Sequence, residues 1–320
     1  MKNPGWSHTE SPFHVGELAI QARLGILNRM DRQGRRMIRE YLTEQHQQFF
    51  AQLSYIIVGT VDEQNNPWAS ILVGQPGFLA TPSDRILQIK ATPLLGDPLA
   101  NNLAAGIDIG LLGIELHSRR RNRLNGIVSA IDRNGLEVTV RQSFGNCPQY
   151  IQARNFEFAD SQSNISPEIS AISSLGKSAR DLIANADTFF ITTAYQDESA
   201  GIAKGVDVSH RGGKPGFVRI DDDHTLTIPD FSGNGHFNTI GNIEVNSRTG
   251  LLFVDFARGD LLYLTGTAEI IWSGAEIRNY AGAQQLIRFD LDRGYSVIAS
   301  LPLRWSSPKF SPLLERTGSW

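Results

Sequence analysis

The sequence predicts a mainly β protein of α+β type, with two tandem barrel-like units behind an N-terminal helical arm. The first observation is an internal repeat, because the segment that starts at Gly110 aligns without a gap on the segment that starts at Gly250, 140 positions later. The second is length, because 320 residues exceed what one hydrophobic core usually supports. A period this long indicates a repeated domain rather than a solenoid, whose repeats span roughly 20 to 50 residues.

Other identities extend the repeat in both directions. Gly126 meets Gly266 at the same offset, and Pro76-Gly-Phe recurs as Pro215-Gly-Phe at an offset of 139. Two related units are therefore expected, and chemistry is expected where the two copies differ.

The arm is predicted to be helical over residues 14 to 50. Apolar residues recur there every three or four positions, as at Val15, Leu18, Ala19 and Ala22. From Tyr55 the pattern changes to short apolar runs separated by polar turns, which is typical of strands.

The first unit is predicted to contain six strands and one short helix, which opens at Asp97-Pro98 with a cap and a first-turn proline. The predicted strands are Tyr55–Val61, Pro67–Val73, Ile86–Ile89, Ile109–Leu116, Asn125–Ile131 and Leu136–Arg141, and the helix is Asp97–Ala105.

The second unit repeats this order after a Ser-, Asn- and Pro-containing linker. Its predicted strands are Thr188–Thr193, Gly205–Ser209, Phe217–Ile220, Thr225–Ile228, Gly250–Phe256 and Asp260–Trp272, with a helix near His236–Asn246. The predicted boundaries are an arm at 1–50, a first unit at 51–157, a linker and helix at 158–186, a second unit at 187–275, and a C-terminal helix and tail at 276–320.

Two segments of the second copy are interpreted as insertions relative to the first. One is Ser209–Lys214, where the first copy is expected to have only Leu72 to Gln75, and the other is Asp230–Gly235. The first combines a hydroxyl, an imidazole, a guanidinium and an ammonium group with glycines, which suits a phosphate approached by backbone. The second stands at a predicted helix start, where free N–H groups and the helix dipole favour an anion. The alternative is that each segment is an ordinary Gly-rich turn.

The residues also carry a resemblance to a known family. From about Phe189 to Ile271 the chain resembles the FMN-binding split barrels of the pyridoxamine 5'-phosphate oxidase superfamily. The whole chain resembles a branch of predicted flavin-nucleotide-binding proteins in that superfamily, through Ser11–Glu17, Gln142–Tyr150, the Ser209-His-Arg-Gly-Gly segment and Pro302–Trp305. The resemblance implies two tandem split β-barrel units of the FMN-binding type, with FMN at an interface between barrel units.

The family's phosphate ligands transfer only in part. The oxidase has Ser-Arg-Lys at the start of the helix where this chain has Phe237-Asn238-Thr239. Arg211 and Lys214 are expected to supply the missing charge. The predicted cofactor-binding residues are Ser209, His210, Arg211, Gly212, Lys214, Asp230, Asn234, Asn238, Thr239 and Asn242. Oxidation of pyridoxamine phosphate is not carried over, and no catalytic residue is assigned.

The implied function is that of an FMN-dependent oxidoreductase acting on an unidentified small molecule. The alternatives are a flavin-binding or storage protein without turnover, and a haem-binding split barrel. We expect one FMN per chain, held by the second unit and walled by the first, which lacks its own flavin site. Split barrels usually pair, so a pseudo-dimer within the chain is expected, with a homodimer as an alternative. No nicotinamide fingerprint is present, so the reductant is expected to be NAD(P)H that binds transiently or an electron-donor protein.

Composition excludes several other classes. A net charge of −3 and 20% charged residues give no global attraction to nucleic acid or anionic membranes. The lone Cys147 forms no internal disulfide, and the first thirty residues contain no signal-peptide core, so a cytoplasmic location is expected. The scattered histidines predict no structural metal site. The run Arg119–Arg123 is interpreted as a solvated hairpin turn, with an anion clamp over the flavin as the alternative.

Overall fold

The computed structural model describes residues 5–159 and 167–318. Residues 1–4 of the predicted arm, 160–166 of the predicted linker and 319–320 of the predicted tail lie outside the described residues. The helices are α1 (Val15–Arg23), α2 (Leu27–Met37), α3 (Glu44–Ala51), α4 (Leu99–Asn102), α5 (Lys177–Asn185) and α6 (Asn238–Val245), and short 3-10 turns cover Glu198–Ala203, Glu276–Asn279 and Pro312–Arg316.

Strands dominate the rest of the described chain. The first unit contains β1 (Tyr55–Val61), β2 (Pro67–Val73), β3 (Leu79–Ser83), β4 (Ile86–Ile89), β5 (Asp108–Glu115), β6 (Arg120–Asp132) and β7 (Gly135–Gly145). The connecting segment contains β8 (Phe156–Phe158) and β9 (Glu168–Ile172). The second unit contains β10 (Thr188–Tyr195), β11 (Gly205–Gly212), β12 (Arg219–Ile220), β13 (Thr225–Phe231), β14 (Arg248–Val254), β15 (Leu261–Ile271) and β16 (Ala283–Ile298), and β17 (Leu303–Trp305) follows it.

The two large sheets have the same topology. The first runs β2-β1-β5-β6-β7-β4-β3, and the second runs β11-β10-β14-β15-β16-β13-β12, with β9 added beside β16. Each strand of the first sheet thus has a counterpart nine strands later. The neighbouring strands in this order pair antiparallel, and each sheet curves around its own core. The predicted fold class, two tandem split β-barrel units behind a helical arm, is confirmed.

A third apolar core joins the units. Tyr55, Ile57, Trp68 and Leu112 of the first unit pack with Phe190, Leu252 and Tyr263 of the second. Burial of large aromatic and aliphatic side chains is the main favourable term in such an association. The two units therefore share a hydrophobic core and are not independent domains joined only by a linker.

The arm packs on the second unit through two glycines. Helix α1 begins with a capping box at His14 and Glu17, and crosses α6 so closely that a Cβ on Gly16 would stand 2.0 Å from the carbonyl oxygen of Gly241. The same arm donates Gln21 Nε2 to the carbonyl oxygen of His236, at 3.3 Å. The arm thereby fixes the helix at which the predicted phosphate site begins.

The predicted C-terminal boundary is wrong. Residues 283–298 form β16, the long strand that pairs with both β15 and β13, so the second unit does not end at 275. Ile287, Phe289 and Leu291 point into the core with charged residues between them, and the bulge beside Gly266 interrupts the regular pairing. Of the described residues from 276 onward, only 3-10 turns are helical.

No helix in the described ranges is both long and apolar enough to cross a membrane.

Candidate functional site

The segment predicted to be the first insertion, Ser209–Lys214, has a counterpart of equal length in the first unit and differs from it by substitutions. In the first unit, two successive strand pairings connect Gly110 to Ala69, and in the second unit the equivalent pairings connect Gly250 to Val208. Because Gly110 and Gly250 correspond in the repeat, Ala69 and Val208 correspond as well. Ser70 therefore corresponds to Ser209, and the next positions follow without a gap. The exchanged pairs are Ile71 and His210, Leu72 and Arg211, Val73 and Gly212, and Gln75 and Lys214.

The second predicted insertion is also absent. Ile89 and Ile228 occupy corresponding positions, and Gly96 and Gly235 each follow seven residues later. Both glycines have a φ of +80°, so the two loops turn in the same way. The difference between the units is consequently one of side chains, not of loop length up to this point.

Two of the substituted residues, His210 and Arg211, border a cavity of about 100 Å³ between the units, called here the cation pocket because three arginine side chains line it. The second unit lines it with Ser209, His210, Arg211, Asp230, Phe231, Gly233, Asn234, Gly235, Phe237, Asn238, Thr239 and Ile240, and the first unit with Leu112, Arg121, Arg123 and Asn146. Both units are therefore needed to complete it.

Three guanidinium groups converge on the cation pocket. Arg123 Nη1 lies 2.7 Å from Asp207 Oδ1, and Arg211 pairs with Asp230. No carboxylate in the described ranges pairs with Arg121, which donates to the carbonyl oxygens of Cys147 and His210. Burial, together with Arg123 and Arg211, lowers the pKa of Arg121 to about 10. The guanidinium groups outnumber their carboxylate partners by one, so the pocket favours an anion.

Neutral donors complete the arrangement. Ser209 Oγ accepts hydrogen bonds from Arg123 and from Thr239 Oγ1, so its own hydroxyl hydrogen remains to be donated. Helix α6 starts beside it, and no described side chain caps that helix. Its entry residue Phe237 has a left-handed φ of 63°, and the first-turn residues Asn238 and Thr239 line the pocket. Unpaired N–H groups at a helix N-terminus are an anion-binding arrangement.

The ten predicted cofactor-binding residues divide into two groups. Seven line the cation pocket: Ser209, His210, Arg211, Asp230, Asn234, Asn238 and Thr239. Gly212 borders an adjoining smaller cavity, Lys214 Nζ donates to the carbonyl oxygen of Thr317, and Asn242 is buried against Thr193 and Asp207. These three are not brought to the pocket.

Among the seven, Asn238 and Asp230 are engaged by protein groups in ways that change their expected role. The Asn238 amide donates to Glu17 of the arm, so it has less to offer a ligand than expected. The Asp230 carboxylate accepts from Arg211 and from Gln285, and burial raises its pKa above the usual range. Asp230 thus orients Arg211 rather than serving as an anion ligand.

The pocket residues from the first unit were not among the predicted cofactor-binding residues, although an anion clamp at Arg119–Arg123 was the stated alternative. The interpretation of Arg119–Arg123 as a solvated turn is wrong for Arg121 and Arg123, because the turn ends at Arg119 and both lie on β6. Their spacing of two places them on one face of a strand, which was a usable signal. Asn146 was quoted only as part of a family motif, and its Nδ2 has no hydrogen-bond partner among the described residues.

Two buried histidines flank the site and stay neutral. Burial, with Arg121 and Arg211 nearby, holds the pKa of His210 well below its usual range. Burial lowers the pKa of His236 to about 4, and its ring lies 5.3 Å from the rings of both Phe13 and Phe144. Neither ring is available as a cation at neutral pH.

The low pKa of His236 predicts acid sensitivity. The unfolded chain binds a proton below about pH 6.5, whereas the folded chain resists it until about pH 4. Stability contributed by the neutral ring is present above pH 6.5 and falls as the pH drops. Between pH 7.5 and 4.5 we expect the wild type to lose about 2 to 3 kcal/mol more than His236→Leu. Urea unfolding at both pH values measures this, and equal losses would contradict it.

The position that corresponds to the cation pocket in the first unit is filled by protein. Asp97 is buried there, accepting from Ser70 Oγ at 2.5 Å, from the N–H of Leu99 at 2.9 Å and from Tyr263 Oη at 3.2 Å. Ser70 corresponds to Ser209, and strand pairing makes Tyr263 the counterpart of Arg123. A carboxylate of the chain thus occupies the place that the cation pocket leaves open.

Comparisons with known proteins concern the fold. No profile of a known protein family matches the chain, and no curated protein sequence matches it. Among solved structures, HupZ of Group A Streptococcus is 21% identical over 40% of this chain and 97% of that chain, with a TM-score of 0.31. A Clostridium acetobutylicum protein related to general stress protein 26, of the pyridoxinephosphate oxidase family, is 13% identical over 43% of this chain and 94% of that chain, with a TM-score of 0.28. A FAD-binding protein of Mesorhizobium loti is 10% identical over 40% of this chain and 97% of that chain, with a TM-score of 0.27.

Proposed function

We propose that the chain binds FMN, with the flavin's phosphate in the cation pocket. The observation that carries this proposal is Asp97, a built-in carboxylate held at the equivalent place by Ser70 and by a helix N-terminus. The cation pocket keeps the hydroxyl and the helix start, and replaces Tyr263 by Arg123. It is therefore suited to an external anion where the first unit supplies its own.

The charge and size of the pocket favour a terminal phosphate. Three guanidinium groups, the Ser209 hydroxyl and the start of α6 match the several oxygens of a phosphomonoester. The pocket volume of about 100 Å³ takes a phosphate group but lies below the roughly 300 to 1,000 Å³ of whole small-molecule sites. The flavin ring would therefore lie outside the pocket. FMN, which ends in a single phosphomonoester, is therefore the flavin nucleotide that we propose for this pocket.

One FMN per chain is expected, because Asp97 and Tyr263 fill the counterpart position. Fluorescence titration of the full chain with FMN tests this, with riboflavin and FAD as comparisons and inorganic phosphate as a competitor. Saturation at one FMN per chain, weaker riboflavin binding and displacement by phosphate support the proposal. Two FMN per chain, or equal affinity for riboflavin, would overturn it. The shared strand order also supports our inference that the two units arose by duplication and form a pseudo-dimer within one chain.

Replacement of Asp97 provides an independent prediction. Asp97→Ala removes the acceptor for Ser70 Oγ and the Leu99 N–H, leaving a small anion-sized space. We expect the variant to melt at a lower temperature than the wild type, and added formate to restore part of the loss. Thermal unfolding with formate or with chloride at equal ionic strength measures the effect. Equal stabilisation of the wild type would show that the rescue is not specific.

Asp230 predicts a pH dependence of binding. Burial already raises the pKa of this carboxyl, and a phosphate beside it would raise the pKa further. Binding should therefore take up a proton, and FMN affinity should fall as the pH rises through the pKa of Asp230. In Asp230→Asn this pH dependence of FMN affinity should disappear, and the variant should bind FMN more tightly than the wild type does at alkaline pH. Isothermal titration in buffers of different ionisation enthalpy measures the proton uptake, and an identical uptake in both proteins would refute the assignment.

Bound FMN would supply hydride or electron transfer, which makes an FMN-dependent oxidoreductase the proposed activity. The chain's own residues would hold the phosphate and keep the neutral His210 and the cationic Arg121 beside it. The reductant is proposed to be NAD(P)H or an electron-donor protein. Anaerobic bleaching of bound flavin by NAD(P)H, followed by recovery in air, would support turnover. No bleaching by NAD(P)H or by dithionite-reduced ferredoxin would favour a flavin store.

A further inference from the structure

A second, much smaller cavity lies between the arm and the barrel. Its enclosed volume is about 10 Å³, and it is bordered by α1, β6, β7, β11 and α6. That volume is close to the minimum that holds one water molecule and is too small for an organic ligand. The residues that matter for its contents are His14, Asn125, Asp207 and Asn242, and each of them lines it.

The orientation of the two amides is fixed by Asp207. Asn242 Nδ2 donates to Asp207 Oδ2 at 2.9 Å and to Thr193 Oγ1 at 3.0 Å, and Asn125 Nδ2 donates to Asp207 Oδ1 at 2.8 Å. A carboxylate oxygen accepts, so the amide nitrogens must be the groups that face it. The amide oxygens of Asn125 and Asn242 are then the free ends, and neither has a hydrogen-bond partner among the described residues.

The protonation of His14 is fixed as well. Its Nδ1 accepts from the N–H of Gly16 at 3.1 Å, as the side-chain cap of α1. Burial lowers the pKa of His14, so the ring is neutral and its proton sits on Nε2. Nε2 makes no hydrogen bond of normal geometry in the described chain: the Asn242 side chain is near enough to oppose the fall in the pKa of His14, and the nearest carboxylate oxygen, Glu17 Oε2, is 3.6 Å away. One buried donor and two buried acceptors therefore line the same cavity.

We propose that this cavity binds one ordered water, which accepts from His14 Nε2 and donates to Asn125 Oδ1 and Asn242 Oδ1. A water has two hydrogens and lone pairs to accept with, so it satisfies all three groups at once. Three hydrogen bonds are the usual number for a buried water. Leaving the groups unpaired would cost roughly 1 to 3 kcal/mol each.

A monovalent cation is the competing occupant, since Glu17 and Asp207 both line the cavity. Asp207 pairs with Arg123, and Glu17 accepts from the N–H of His14 and from Asn238 while burial and the nearby Asp207 raise its pKa well above the usual range. The other charged groups at the cavity, Lys204 and Arg141, pair with Glu198 and Asp108. The Nε2–H of His14 directs a positive hydrogen into the cavity. A neutral water fits that field, whereas a cation does not.

The water would link the arm to the cation pocket. Asn125 and Asn242 hold both oxygens of Asp207, and Asp207 in turn fixes Arg123 at the pocket. The relay therefore runs from His14 on α1 through water, amide and carboxylate to Arg123. This inference does not depend on which anion the pocket takes.

A crystal structure of the full chain at about 1.3 Å, grown in rubidium chloride, tests the occupant. We expect an isolated density peak within hydrogen-bond distance, roughly 2.6 to 3.2 Å, of all three atoms, without anomalous signal at the rubidium edge. An anomalous peak would identify a cation and overturn the proposal. A direct hydrogen bond between His14 and Asn242 with no peak would overturn it too.

Oxygen-17 magnetic relaxation dispersion tests it in solution by counting long-lived waters. His14→Phe keeps a ring but removes the Nε2–H, and we expect about one long-lived water fewer than in the wild type. His8→Phe is the control, because His8 is a partly exposed imidazole of the same arm that contacts Glu40. Equal counts in the wild type and His14→Phe would contradict the proposal. If His14→Phe does not fold, the crystallographic result decides.

Discussion

Gly250→Ala should destabilise the protein by roughly 3 kcal/mol or more, the upper end of the range for overpacked cores. A Cβ at this position would stand 2.3 Å from the carbonyl oxygen of Pro67 and 3.0 Å from the amide nitrogen of Trp68. Both are backbone atoms of the other unit, so no side chain can rotate away. The strands β14 and β2 would have to separate, opening the apolar core between the units.

Gly110→Ala should have the same effect from the opposite side. Its Cβ would stand 2.4 Å from the carbonyl oxygen of Val206 on β11. Gly176→Ala is the matched control, because Gly176 has a φ of −67° and nothing within 4 Å of the added carbon. We expect the control to change the free energy of unfolding by less than about 1 kcal/mol. Urea unfolding of the three variants measures the differences, and a Gly250→Ala loss no larger than that of Gly176→Ala would refute the contact.

These glycines explain why the fold was predictable from the sequence. Gly110 and Gly250 recur because each lies against the backbone of the other unit. Gly126 and Gly266 recur because each follows a register shift in the long strand β6 or β15. The Pro-Gly turns recur because Gly77 and Gly216 adopt φ values of 94° and 87°. Identities that reflect backbone constraints are retained when side chains diverge, so the repeated glycines predicted that the two units share one fold.

The boundaries were less predictable, for a physical reason. Strand β16 alternates buried and exposed residues, but it is 16 residues long and broken by a bulge, so its pattern shifts phase partway along. The two predicted insertions were wrong for a different reason. Each segment has a counterpart of equal length in the first unit, but the side chains differ so much that an alignment based on identical residues shows a gap. Spatial equivalence between Ser70 and Ser209 becomes visible only through the pairing of β1 with β2 and of β10 with β11.

The candidate site was half predictable. Residues of the second unit could be inferred from their chemistry and their place before a helix. Those of the first unit could not be assigned to the same pocket, because the packing of one unit against the other brings β6 to it. The i, i+2 spacing of Arg121 and Arg123 predicts a shared face of a strand. The apolar core between the units determines which face of the strand meets the other unit. The sequence of the strand alone does not determine that face.

Arg121→Ala should weaken FMN binding by about 100-fold and leave riboflavin binding nearly unchanged. Hydrogen bonds to charged groups contribute roughly 1.5 to 3 kcal/mol, and 1.4 kcal/mol corresponds to a factor of ten. We expect the contribution of Arg121 to lie at the upper end of this range, because Arg121 has no carboxylate partner in the described ranges and is largely withdrawn from solvent. Its interaction with a phosphate would not have to break an existing ion pair, unlike that of Arg211 with Asp230.

The neighbouring Arg120 gives a matched control on the same strand. Its side chain is exposed and lies over the ring of Phe49, 5.0 Å from the centroid, on the other side of the strand from Arg121. Arg120→Ala removes the same net charge and should change FMN affinity less than about threefold, because exposed charges are screened by salt. Fluorescence titrations of both variants at two salt concentrations separate a local contact from a general field. If both variants lose affinity equally, the phosphate does not sit in the cation pocket. If Arg121→Ala loses FMN and riboflavin alike, Arg121 supports the fold of the pocket rather than the phosphate, because only a contact to phosphate distinguishes the two flavins.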